Sequence, residues 1–333
     1  MAAYTSIDDP EAYFKAVKYS SNGTAIGSGG LTVTGFDFTP TWLQMKQRDA
    51  DESNGTYDSV RGVTKSLRTN GPDEEDTRTE GITAFNSNGF TCGSDSRINP
   101  GGTHPMIAYG WLESATSGFD IVAYTGNGTD DTDISHNLSA VPKLIIVKNR
   151  SAADSWQVYH GANTSSPETD YLVLNTTAAT VDAADRWSDE APTSSVFTLG
   201  DGDEVNTNTE SYIAYVFAEK QGYSKFGSYE GNGNADGTFV YTGFRPAFVM
   251  TKSIDSTSDW HIFDDKRDGY NVDNDALEAN TGDTETTTDM IDLLSNGFKF
   301  RIATDPNVAE TYIYAAFAEA PFVNSNGVPC NAR

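Results

Sequence analysis

Apolar residues in this chain fall in short runs separated by Gly, Asn, Asp, Ser and Thr. Segments such as Phe239-Val-Tyr-Thr, Ala247–Lys252 and Gly297–Ile302 are β-branched or aromatic and end in Asn-Gly, Asp-Gly or Ser/Thr clusters, the pattern of strands and turns. The Asn-Gly pairs predict tight hairpins, because both central residues of such a turn must tolerate positive φ. Helix-start chemistry occurs over Asp9–Val17, with Asp9 as N-cap, Pro10 at the first helical position and Glu11 in the first turn. Ile82–Asn86 and Met290–Leu294 are each expected to add a helical turn. The rest reads as β.

The pattern then repeats, which is the strongest signal in the chain. An aromatic strand followed by Asn-Gly opens each unit: Tyr19 with Asn22-Gly23, Tyr124 with Asn127-Gly128, and Tyr229 with Asn232-Gly233, the tyrosines 105 residues apart. A proline, an apolar strand and a lysine follow at fixed spacing: Pro40 to Lys46, Pro142 to Lys148, Pro246 to Lys252. Phe90, Phe197 and Phe298 each precede an asparagine by nine residues, at Asn99, Asn206 and Asn307. The closing strands are Met106–Trp111, Tyr212–Phe217 and Tyr312–Phe317. These anchors predict an all-β chain of three tandem antiparallel β-sandwich repeats, jelly-roll or lectin-like, of about 105 residues each. The expected boundaries are residues 1–115 (an N-terminal arm and repeat 1), 116–222 (repeat 2) and 223–333 (repeat 3 and a polar tail), laid end to end.

Composition narrows the function classes. With 22 Lys+Arg against 48 Asp+Glu the net charge is −26, so nucleic acid and anionic membrane are not expected partners. No apolar run approaches membrane-spanning length, and the first residues lack the basic and apolar regions of a signal peptide. Two cysteines, Cys92 in an expected strand and Cys330 near the end, make no disulfide scaffold.

Candidate chemistry is sparse. The recurring asparagines Asn70, Asn175, Asn280 and Asn99, Asn206, Asn307 suit either sugar hydroxyls or loop backbone groups, and their recurrence in every unit favours the fold. Acidic runs at Asp130–Asp133, Asp201–Glu204 and Asp273–Asp275 could surround calcium but match no EF-hand spacing, so calcium stays unassigned and no cofactor is expected. Four histidines sit at differing places in the units, without a nucleophile or metalloprotease motif, and a non-enzyme is expected. Aromatic-charged segments offer a recognition face: Asp58 and Arg61 in unit one, Trp156 and His160 in unit two, Trp260, Asp264 and Arg267 in unit three. Each Asp–Arg pair could pin a loop; the alternative is aromatic stacking on sugar rings with carboxylates taking hydroxyls. Unit two lacks the Asp and the Arg.

Taken together, Ile7–Phe14, Asn22–Leu31, Gly35-Phe36 leading to Pro40 and Lys46, Asp58-Ser-Val-Arg61-Gly62, Phe85–Phe90 and Asn99 resemble a repeat family of tailed-bacteriophage virion proteins, above all tail fibres of marine and cyanobacterial phages. The resemblance recurs over units two and three, although unit three inserts Asp268 between Arg267 and Gly269. It implies a structural virion protein of the tail-fibre or tail-associated type, assembled in the host cytoplasm and exposed on the particle. Its implied partners are other virion proteins, further copies of itself (a homotrimer by analogy) and a host-surface glycan. The alternatives are a capsid decoration or head-fibre protein, and a carbohydrate-binding module of a secreted glycosidase.

Overall fold

The computed structural model describes residues 4–267, 271 and 275–330. Asp268, Gly269 and Asp273, named above, lie outside them. The chain is all-β and antiparallel, and one strand order occurs three times. In the first unit the opening strand Phe14–Ser20 pairs with the closing strand Pro105–Trp111, which pairs with Trp42–Gln47, which pairs with Gly55–Asp58. The second unit repeats the order with Phe119–Thr125, Ser211–Phe217, Leu144–Asn149 and Gln157–His160. The third uses Ser224–Glu230, Thr311–Pro321, Phe244–Ser253 and His261–Asp264. A smaller sheet covers one face of each: Leu31–Thr34 with Gly89–Cys92 and Ile82–Asn86, Thr132–Ser135 with Val196–Leu199, and Phe239–Tyr241 with Gly297–Phe300 and Ile291–Leu294.

The closing strands are apolar on both faces, and that decides the architecture. Ala108 in the first unit, Tyr212, Ala214 and Val216 in the second, and Tyr312, Tyr314 and Ala316 in the third turn into the core of their own sandwich. The alternate residues, Ile107, Tyr109 and Trp111, then Ile213, Tyr215 and Phe217, then Ile313, Ala315 and Phe317, all enter one further core. A sheet with two apolar faces must be covered on both. Here the second cover is the other two units. Trp42 stacks on Trp111 at 4.5 Å and on Tyr215 at 4.4 Å, while Phe14 stacks on Phe317 at 5.3 Å and Trp111 meets Phe317 edge-on at 5.7 Å. The void left at this junction is only about 20 Å³, so the centre is a packed core and not a channel. The end-to-end arrangement is therefore corrected: the three units converge on a shared core.

Local signals were also overruled. The helix expected over Asp9–Val17 is one 3₁₀ turn, Pro10–Ala12, and the strand begins at Phe14. Phe14 and Ala16 alternate into the shared core while Val17 and Tyr19 face the sandwich core, a period of two that no helix can supply. Ile82–Asn86 is a strand and not a helical turn, as is Ile291–Leu294. Asn88-Gly89 and Asn296-Gly297 do lie at hairpin turns, but the Asn-Gly pairs that open the units do not close hairpins, because the strands they join lie in different sheets. They are instead left-handed corners, with φ of 59°, 66° and 61° at Gly23, Gly128 and Gly233. A Cβ on Gly23 would meet the Gly101 Cα at 2.6 Å, so glycine is required there twice over. No helix among the described residues is long and apolar enough to cross a membrane.

Candidate functional site

The asparagines explain the corners. Asn99, Asn206 and Asn307, all buried, accept from the backbone N–H of Asn22 (2.8 Å), Asn127 (2.9 Å) and Asn232 (3.3 Å), and donate to the Gly93, Gly200 and Ile302 carbonyls at the start of their own loops. Asn70, Asn175 and Asn280 accept from the backbone N–H of Asn54, Trp156 and Trp260 at 3.1, 2.8 and 2.8 Å. Both sets hold backbone groups that would otherwise be unpaired inside the protein.

Where units meet, the fourth strand of one receives the closing strand of the next, and the contacts run in a circle: unit two onto one, three onto two, one onto three. At the first seam Asp58 pairs with Arg61 and accepts from the Tyr215 hydroxyl at 2.7 Å. Arg61 reaches Glu75 at 3.3 Å, and Arg150 of unit two clasps Glu75 at 2.9 and 3.0 Å. The seam between units three and one has the same parts. Asp264 pairs with Arg267 at 2.5 Å and accepts from the Tyr109 hydroxyl at 2.7 Å; Glu285 joins Arg267 at 2.8 Å to Arg48 at 2.7 Å. Burial opposes charge on Asp264, but the Arg267 guanidinium outweighs it and holds the carboxyl below its usual range.

The seam between units two and three replaces every one of these groups. His160 and Asn163 stand where the Asp and Arg were, Thr180 for the Glu, Ile254 for the second Arg and Ala315 for the Tyr. The backbone contact beside them persists: Thr180 N–H to Ile254 O is 3.1 Å, against 3.1 Å for Glu75 to Arg150 and 2.9 Å for Glu285 to Arg48. His160 Nε2 donates to the Tyr314 carbonyl at 3.1 Å, a tautomer set by Nδ1 accepting from the Ala162 N–H at 3.2 Å, and Thr180 donates to Asn163 at 2.6 Å. Burial pushes His160 down to about 4.

Further rungs cross all three seams. Trp156 Nε1 donates to the Arg68 carbonyl at 2.9 Å, Trp260 Nε1 to Val173 at 3.0 Å, and Asn54, in the corresponding place, to Ala279 at 3.0 Å. Lys46 and Lys252 donate across their seams to the carbonyls of Thr281 (2.6 Å) and Thr177 (3.2 Å), whereas Lys148 donates to Asn149 and Ala152 within its own unit. Burial brings all three lysines down to about 8.

The residues expected to form a recognition face are thus placed otherwise. Asp58, Arg61, Trp156, His160, Trp260, Asp264 and Arg267 are at most 7% exposed and are spent between units, so a surface role for them is corrected. Their partners Tyr109, Tyr215, Glu75, Glu285, Arg48 and Arg150 were missed. The available signal was the closing-strand alignment, which sets Tyr109 and Tyr215 against Ala315 just as unit two loses its Asp and Arg.

A serine, a histidine and an aspartate do meet in unit three. Ser258 Oγ (2.8 Å) and His261 Nε2 (3.1 Å) both bind Asp305, whose carboxylate therefore lies between them. Burial disfavours charge on His261, but Asp305 and Glu278 outweigh it and raise the imidazole to about 9, where it is a cation and not a base. Among the acidic runs, Asp130 and Asp131 accept from Ser188, and Glu204 pairs with Arg186 at 2.7 Å. Among the described residues no group of three or more His, Cys, Asp or Glu is placed to hold a metal ion.

No curated protein matches the chain in sequence. One family model runs without interruption over residues 9–321, through all three units and both linkers, so the unit it describes is the whole three-part assembly. The chain belongs to this family, DUF7483, a domain of unknown function.

Proposed function

We propose that the chain is a non-enzymatic structural protein of a tailed-phage virion, assembled in the host cytoplasm and carried on the particle surface as a tail-fibre or tail-associated part that touches host glycan. The observation that carries this reading is where the chemically suggestive residues go. Carboxylates, guanidiniums, indoles and imidazole from all three units are used to close a ring, and a rigid body built that way is suited to display. The sequence resemblance supplies the virion context. Three modules in one chain already provide a threefold body, so contacts to other virion proteins matter more to this reading than a homotrimer does.

Localisation tests it. Antibody labelling of purified particles is expected to mark the tail, and particles lacking the protein are expected to adsorb poorly. Label on the head would turn the reading to capsid decoration, and absence from the particle would overturn the virion role. Hydrolysis of a host polysaccharide that one carboxylate substitution abolishes would overturn the non-enzymatic part.

A further inference from the structure

Aromatic side chains stand exposed at one corner of the molecule, and the fold gives no reason for two of them. The outer positions of the first strand in the small sheet are Thr32 and Thr34 in unit one and Asp133 and Ser135 in unit two, all exposed. In unit three the matching positions are Phe239 and Tyr241, 45% and 54% exposed. The inward residue between them is conventional in every unit: Val33, Ile134, Val240. Sandwich packing asks only for that inward residue, so the outward rings answer to something else.

Tyr241 forms one wall of a groove of about 390 Å³, and Tyr4, 57% exposed, forms another. The volume lies in the range of small-ligand sites. Between the rings the groove offers Glu219, Gln221 and Lys225. Lys225 Nζ lies 5.6 Å over the Tyr241 ring, and Glu219 accepts one long backbone bond, from Phe226 at 3.4 Å. Ring faces for C–H surfaces, with a carboxylate, an amide and an ammonium for hydroxyls, are the chemistry of a sugar ring.

We propose that the groove between Tyr4 and Tyr241 is a saccharide site that takes a pyranose of a host-surface glycan; this rests on the adhesion reading above and gives it a place. The site lies at the junction of the linker into unit three, the N-terminal arm and the C-terminal tail (Phe322, Val323), away from the buried seams.

Saturation-transfer NMR on the full chain, with the methyl pyranosides of glucose, galactose and mannose and with N-acetylglucosamine, tests it. Transfer to the ring C–H protons of at least one sugar is expected, weakened about five- to tenfold by Tyr241→Ala. Tyr4→Ala and Glu219→Gln are expected to weaken it too, and exposed Val181→Ala to leave it unchanged. Because Tyr241 is exposed, its variant is expected to keep the wild-type melting temperature. Transfer that survives Tyr241→Ala overturns the groove while leaving adhesion standing. Silence from all four sugars overturns the groove as a pyranose site, and a cross-link from position 241 to another virion protein would replace it with a protein contact. The adsorption of particles lacking the protein decides the adhesion reading separately.

Discussion

Two of the three seams bury an ionic network and the third carries uncharged groups in its place, although strand order and the backbone contact beside the site are the same in all. The seams of unit two on one and of unit one on three each bury an Asp–Arg pair, extend it through a glutamate to a second arginine, and cap it with a tyrosine hydroxyl. The seam of unit three on two holds His160, Asn163, Thr180, Ile254 and Ala315 instead. Five positions from two modules, far apart in sequence, differ together. Removing one member of a buried ionic network strands the others without solvent, whereas removing all of them costs little. That asymmetry explains why no mixed seam occurs: each is either complete or absent.

The sharpest way to break the comparison is to make a mixed seam. Arg267→Ala leaves Asp264 and Glu285 buried against each other with Tyr109 and Arg48, and is expected to cost about 3–5 kcal/mol in urea denaturation. Asn163→Ala, at the matching place in the third seam, is expected to cost about 1 kcal/mol, the worth of an ordinary hydrogen bond. Equal losses would show that the charged network is no network.

Acid separates the seams differently. His160 has its pKa lowered in the folded chain, from 6.5 to about 4, so its contribution is fully present above pH 6.5 and is lost as pH falls through 4. Lys143 is the charged group close to it and adds to the cost of protonation. The loss amounts to about 3 kcal/mol. His160→Gln keeps a donor for the Tyr314 carbonyl but cannot titrate, so its stability is expected to fall less steeply than wild type between pH 6.5 and 4. Carboxylates shared by both proteins cancel in that difference. Parallel curves would remove His160 as the acid-sensitive point.

How much of this was legible in the sequence follows from the range of each interaction. The sandwich cores were, because they rest on alternation within single strands, and so was the Asp58–Arg61 pairing, three residues apart. The Pro-to-Lys spacing marked Lys46, Lys148 and Lys252 as repeated, but not that each would be buried, with Lys46 donating to a carbonyl 235 residues away. The seams were hidden because every partner of Asp58 and Asp264 outside its own loop comes from another unit. Their trace, Ala315 in place of tyrosine, is meaningful only once a closed circle of units is supposed. The Asp9–Val17 helix failed for the converse reason: capping residues speak for one turn, while Phe14 and Ala16 answer to a core assembled from the whole chain.

Within the charged seams the contribution of the bridging hydroxyl can be isolated. Tyr109→Phe keeps the ring against Phe248, 5.1 Å away, and removes only the 2.7 Å bond to Asp264. A bond to a charged acceptor implies a loss of about 1.5–3 kcal/mol, reduced toward the lower end because Arg267 still holds the carboxylate. Tyr215→Phe is expected to match it at the other charged seam. A larger effect at one than at the other would mean that the two are not equivalent.

The smallest effect belongs to the rim. Arg150→Ile copies into the first seam the residue that the third seam carries at Ile254. Arg150 is about a fifth exposed in its side chain and its partner Glu75 keeps a second cation, Arg61 at 3.3 Å, so no buried charge is stranded. The expected loss is therefore about 0.5–1 kcal/mol, in the range of an exposed ion pair and sensitive to salt. Added salt should shrink the difference between Arg150→Ile and wild type while leaving the deficit of Arg267→Ala nearly unchanged, since the latter arises where solvent and counterions do not reach. If salt rescued both alike, the buried half of the seam would be no drier than its rim, and the contrast between complete and mixed seams would lose its physical basis.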